Sequence, residues 1–72
     1  MEKYYYVYGQ IFLEDDLCEY YEFIHITEKE IKNIDEIKKI LIDKFYCDGF
    51  TQSDFKKFGE INWYETDGLA MI

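Results

Sequence analysis

The side chains able to do chemistry are few and far apart. His25 is the one histidine, and Cys18 and Cys47 are the two cysteines. A thiol nucleophile needs a base within hydrogen-bond reach, and that base needs a visible claim on the proton it takes. In an extended segment over residues 18–27, side chains alternate between two sides. Cys18 then falls opposite His25. Cys47 ends a helical stretch, where the negative end of the helix dipole disfavours a thiolate. Both thiols therefore read as structural, and His25 reads as a structural or surface residue. The base–thiol couple has no geometric support in the spacing.

Metal chemistry fares no better. Structural zinc takes four ligands, mostly Cys and His, and one histidine with two distant cysteines does not supply them. The stretch 43–54 contains Asp48–Gly49 but lacks the Asp/Asn spacing and closing Glu of a calcium loop. Glu14–Asp15–Asp16 reads as a solvated turn, since adjacent acids without a cage hold hard ions poorly. The glycines stand alone at positions 9, 49, 59 and 68, so there is no phosphate-binding loop. With 16 acids in the chain, no one carboxylate pair stands out. The expectation is no enzyme, no cofactor and no metal site.

What remains is an aromatic and acidic surface, and it has to be placed on elements. Residues 3–13 (KYYYVYGQIFL) suit a strand because aromatic and β-branched side chains fit a pleated surface. Both of its sides are apolar: Tyr5, Val7, Ile11 and Leu13 on one, Tyr4, Tyr6, Tyr8 and Phe12 on the other. Gly9 marks a bulge, a bend or a close backbone approach. The acids 14–16 turn the chain, and residues 18–27 return as a second strand. Tyr20, Ile24 and Ile26 share a side with Cys18, and Tyr21 and Phe23 share the other with His25.

Thr27 with Glu30, and Asn33 with Glu36, both have capping-box spacing. The helix is clearest over 34–46, with Ile34, Ile37, Leu41 and Phe45 on one stripe widened by Ile40. Asp48–Gly49 stops it, with Gly49 free to turn left-handed. Residues 52–58 read as a short helical turn ended by Gly59, with Phe50, Phe55 and Phe58 against the core. Residues 60–66 read as a third strand. Asp67–Gly68 signals a type I′ hairpin into a short fourth strand over 69–72. The expected fold is α+β in the order ββ-α-(short α)-ββ: one domain over 1–72, with one antiparallel sheet and the helix across one face.

Composition narrows the function classes. The chain has 72 residues, 49% of them apolar and 15 aromatic, which separates it from disordered chains. Its net charge is −8 and all eight basic residues are lysine. Arginine is the favoured residue for forked contacts to phosphate and guanine. Its absence, with the negative charge, argues against direct nucleic-acid binding and against an anionic membrane surface. The longest apolar runs are far short of the ~20 residues that span a bilayer. The opening residues carry no basic stretch followed by an apolar run, so the expected setting is cytoplasmic with reduced thiols.

The acid is unevenly placed. Residues 1–27 carry Lys3 against Glu2, Glu14, Asp15, Asp16, Glu19 and Glu22, a net of −5. Residues 28–44 balance five acids with five lysines, and residues 45–72 carry a net of −3. The helix is thus electrically neutral and the hairpin supplies the negative field. One helix covers one sheet face, so tyrosines must remain on the other, where the ring is apolar and the hydroxyl stays wet.

These features lead to a non-catalytic protein-binding module. Tyr4, Tyr6, Tyr8 and Tyr21 form the contact patch, and Glu14, Asp15, Asp16, Glu19 and Glu22 steer it to a basic protein partner. The size, acidity and skewed composition are similar to those of small proteins encoded by phages and prophages, some of which inhibit host enzymes. That resemblance implies an inhibitor or regulator of a basic host protein. Two alternatives use the same tyrosine-rich face: self-association in a homo-oligomer, and a stacking platform for a small ligand. Against all three stands a plainer reading, in which the acids only keep a tyrosine-rich sheet soluble and its edges unpaired.

Overall fold

The aromatic run Lys3–Leu13 forms strand β1, and Cys18–Thr27 returns antiparallel as β2. Between them the chain turns through Glu14 to Leu17, with Asp16 at φ 68° and the Leu13 amide donating to the Leu17 carbonyl at 2.8 Å. Helix α1 spans Ile34–Cys47. One 3₁₀ turn at Gln52–Asp54 leads into strand β3, Phe55–Thr66. These elements come from a computed structural model, which describes residues 1–67. The expected fourth strand at 69–72 lies outside the described residues.

The sheet order is β2-β1-β3, antiparallel throughout, so β1 is the central strand. Its odd residues face the helix. Tyr5, Val7, Ile11 and Leu13 are buried there with Tyr21 of β2 and Ile37, Leu41 and Phe45 of α1. Ile37, Leu41 and Phe45 fall at i, i+4, i+8 and are fully buried. Each such side chain contributes about 1.5–3 kcal/mol relative to an exposed one. Gly9 sits in this row because the helix comes too close for a side chain. A β-carbon there would lie 2.7 Å from Leu41 Cδ2 and nearer still to Cδ1.

The helix begins at Asn33. Its side chain accepts from the Glu36 amide at 3.3 Å, and the Glu36 carboxylate accepts from the Asn33 amide at 3.4 Å. Thr27 and Glu30, with the same spacing, cap nothing. Thr27 Oγ1 accepts from the Lys29 amide at 3.2 Å in a local turn. That turn precedes the link to α1, where the Ile31 amide donates to the buried Tyr5 hydroxyl at 3.0 Å. At the other end Gly49 takes φ 99°, as the Asp48–Gly49 pair predicts.

The segment 52–58 departs from its helical expectation. Only residues 52–54 turn; Phe55 already pairs with Leu13 and Phe58 with Ile11. The Phe55–Phe58 spacing of three mimics a helix, but both rings fall on one side of β3 because an irregularity in the β1–β3 register lies between them, and a second one does the same for Phe58 and Ile61. The pairing moves from Gly9–Ile61 to Ile11–Phe58, and from Phe12–Lys57 to Leu13–Phe55. Each step places one extra residue on β3, which resets side-chain parity. Phe55, Phe58, Ile61 and Trp63 all thereby pack on the helix side. At the first of these steps, from Gly9 to Ile11, the Glu60 amide donates to Gln10 Oε1 at 3.0 Å.

Candidate functional site

The even residues of β1 build the other face of the sheet. Tyr4, Tyr6, Tyr8 and Phe12 are half-buried there, and no element covers them among the described residues. Register fixes their neighbours. On the β2 side Tyr4 lies beside Ile26, Tyr6 beside Ile24, Tyr8 beside Glu22 and Gln10 beside Tyr20. On the β3 side Tyr6 lies beside Tyr64 and Tyr8 beside Asn62. Tyr6 and Tyr64 stack with ring centroids 5.0 Å apart. Tyr20 is 64% exposed, Tyr64 58% and Ile26 45%.

The polar contacts on this face are specific. The Tyr6 hydroxyl donates to Glu22 Oε2. That hydrogen bond, reinforced by desolvation and the carboxylate's charge, pushes the Tyr6 pKa up to about 12. Gln10 Nε2 donates to the Tyr8 hydroxyl at 3.1 Å, and Asn62 Nδ2 donates to Glu60 Oε2 at 3.0 Å. Lys57 lies 5.4 Å from the centroid of the Phe12 ring.

The nine residues singled out by sequence do not form one patch. Tyr4, Tyr6, Tyr8 and Glu22 share the open face. Tyr21 is a correction: it pairs with Gly9 on the helix side, where it is buried. Burial, and then the nearby Asp48 carboxylate, push its hydroxyl pKa up. Glu19 pairs with Ile11 and so belongs to that side as well. Glu14, Asp15 and Asp16 occupy the turn at the sheet's end. Asp16 is already engaged by Lys56 at 2.8 Å, and the ammonium holds its carboxyl below the usual range. The acids therefore do not encircle the tyrosines.

Tyr20 and Tyr64 are the large residues that sequence reasoning missed. Parity alone separated Tyr20 from Tyr21, but both sides of β2 carry apolar residues. Only pairing with β1 shows which side the helix takes.

A second feature lies under the helix. His25, Ile40, Asp43, Lys44 and Cys47 line a shallow groove of about 200 Å³. His25 and Cys47, which the spacing alone did not bring together, thus line one groove. Even so, no hydrogen bond joins them, and burial followed by the Lys44 charge lowers the His25 pKa. The groove is also below the ~300 Å³ at which ligand pockets usually begin.

Among the described residues, no three His, Cys, Asp or Glu side chains converge to hold a metal ion. No helix there is long and apolar enough to cross a membrane. No protein-family model, curated protein or solved structure matches the chain, so its own geometry carries the functional argument.

Proposed function

We propose that this chain is a non-catalytic protein-binding module that docks a basic protein partner on the open face of its sheet. One observation carries this reading: Tyr20 and Tyr64 are well exposed on a face they share with Tyr4, Tyr6 and Tyr8. Tyrosine supplies large contact area at low entropic cost and is enriched where binding energy concentrates. A contiguous aromatic face on a small monomer marks an interaction site more often than scattered exposed residues do. The charge of −8 selects a basic partner and speeds encounter with it. Occlusion of that partner's basic surface gives the activity of an inhibitor or regulator, in a cytoplasmic setting that keeps both thiols reduced.

The test is affinity capture from cell lysate with the wild-type chain and a Tyr20→Thr/Tyr64→Thr variant, at low and high salt. Threonine keeps strand propensity while removing the rings. A partner held by wild type at low salt, and lost by the variant or at high salt, supports the module. A partner retained equally by both proteins overturns the assignment of this face.

Self-association is favoured by one specific observation. The Tyr4–Ile26 and Tyr6–Ile24 rows at one end of the face are uncharged, so two copies meet there with least repulsion. Sedimentation at high concentration decides it: a monomer removes this second reading.

A further inference from the structure

We propose that Glu22, with the tyrosines around it, is the docking point for an arginine side chain of the basic partner; this deepens the protein-binding reading and rests on it. Among the described residues, Glu22 is the carboxylate paired directly with a tyrosine of the open face. Tyr8 stands directly across from it, Tyr20 lies two residues before it on the same side, and Tyr6 donates its hydroxyl to Oε2. Among the described residues, its other oxygen accepts no hydrogen bond and no lysine pairs with it. Among the described residues, the ion pairs lie elsewhere, at Lys3–Glu65 and Lys56–Asp16.

The far side of Tyr8 is also negative. Asn62 faces Tyr8 from β3 and is tied to the Glu60 carboxylate. A cation resting over Tyr8 therefore has Glu22 on one side and Glu60 on the other, with Tyr6 and Tyr20 as neighbours. The same sheet face already holds the Lys57 ammonium against the Phe12 ring.

Guanidinium fits this arrangement better than ammonium does. It is planar, it stacks on aromatic rings, and its fork matches a carboxylate. It is also more weakly hydrated, so less is lost when it leaves water for a ring face. A second copy of this chain is not the occupant. It contains no arginine and would bring its own charge of −8 against this one.

The experiment is an NMR titration of the purified chain with an acetylated tetra-arginine peptide, and with tetra-lysine for comparison. Two variants change the charge equally. Glu22→Gln alters the proposed site, and Glu28→Gln alters an exposed loop residue outside it. Arginine peptide should shift Tyr6, Tyr8, Tyr20 and Glu22 and bind several-fold more tightly than lysine peptide. Losing a charge-assisted pair weakens binding about tenfold, so E22Q should show that loss while E28Q changes less than about twofold. Equal effects of E22Q and E28Q, equal affinity for both peptides, or shifts confined to residues 14–16 each overturn the proposal. If E22Q does not fold, the wild-type shift map and the peptide preference still decide.

The two readings fail separately. If arginine does not bind at Glu22, yet a protein partner is still lost from the Tyr20→Thr/Tyr64→Thr variant, the arginine site falls and the module stands. Arginine binding at Glu22 with no partner captured through the face keeps the site and removes the module.

Discussion

Gly9 and Leu41 occupy one space: the central strand gives up a side chain where the helix inserts one. A β-carbon on residue 9 would press into the fully buried Leu41 branch. The two positions must therefore be energetically coupled, since residues in contact do not behave additively.

Gly9→Ala should destabilise by about 1–3 kcal/mol through overpacking, and Leu41→Ala by about 2–5 kcal/mol through the cavity it leaves. In the double variant the added methyl enters the vacated space, so the combined loss should be smaller than the two losses together. Urea melts of all four proteins measure this. Strict additivity would mean that the helix is not seated on Gly9.

Asn33 and Thr27 begin segments of equal capping-box spacing, but only Asn33 caps a helix. Asn33→Ala should cost about 1 kcal/mol, whereas Thr27→Ala should stay within about 0.5 kcal/mol, as expected away from a critical contact. Thermal melts of the two variants separate them, and a larger loss at Thr27 would contradict the helix start seen here.

His25 should make the fold sensitive to mild acid. Its pKa is lowered in the folded chain, first by burial and then by Lys44. The unfolded chain therefore takes up a proton first, near the ordinary value of about 6.5, and stability falls as pH drops through and below that value. Acidification also relieves repulsion among the carboxylates, so the informative quantity is the difference from a His25→Gln variant. Between about pH 7 and 5 the wild type should lose stability relative to that variant. Parallel curves would show that the imidazole is not desolvated.

The Tyr6–Glu22 hydrogen bond should be visible at alkaline pH. With its pKa raised to about 12, the Tyr6 phenol stays protonated where an ordinary tyrosine ionises. The folded chain then holds a proton that the unfolded chain releases, so this contribution to stability declines above about pH 10. In Glu22→Gln, the Tyr6 ring resonances should titrate at lower pH than in wild type. Unchanged titration would mean that the carboxylate does not hold the hydroxyl.

Much of the fold is legible in the residues, and the failures have definite causes. The first two strands follow from runs of aromatic and β-branched residues on either side of an acidic turn, and α1 from an apolar period of 3.6. The start of β3 does not, because Phe55 and Phe58 have a helical spacing, and only register irregularities let residues so spaced share one side of a strand. Those irregularities depend on β1 as a partner, and a single segment carries no sign of a partner 40 or more residues away. The open face was half readable. An even row of tyrosines on β1 must lie opposite an odd row in the core, which places Tyr4, Tyr6 and Tyr8. The choice of Tyr20 over Tyr21, and the arrival of Tyr64 beside Tyr6, depend on strand order and register, which are properties of the assembled sheet.

The order β2-β1-β3 has a consequence for how the chain is made. Synthesis runs from the N-terminus, so β1 and β2 exist before α1 and well before β3. A two-stranded hairpin is marginal in water by itself, and one edge of β1 stays open until residues 55–66 are available to pair with it. Closing that edge joins residues about 50 positions apart, a non-local step of the kind that slows folding. Through that interval the tyrosines of β1 are exposed with an unpaired backbone edge beside them. The five acids between Glu14 and Glu22 are already present, and like charges beside an open edge oppose its pairing with another copy.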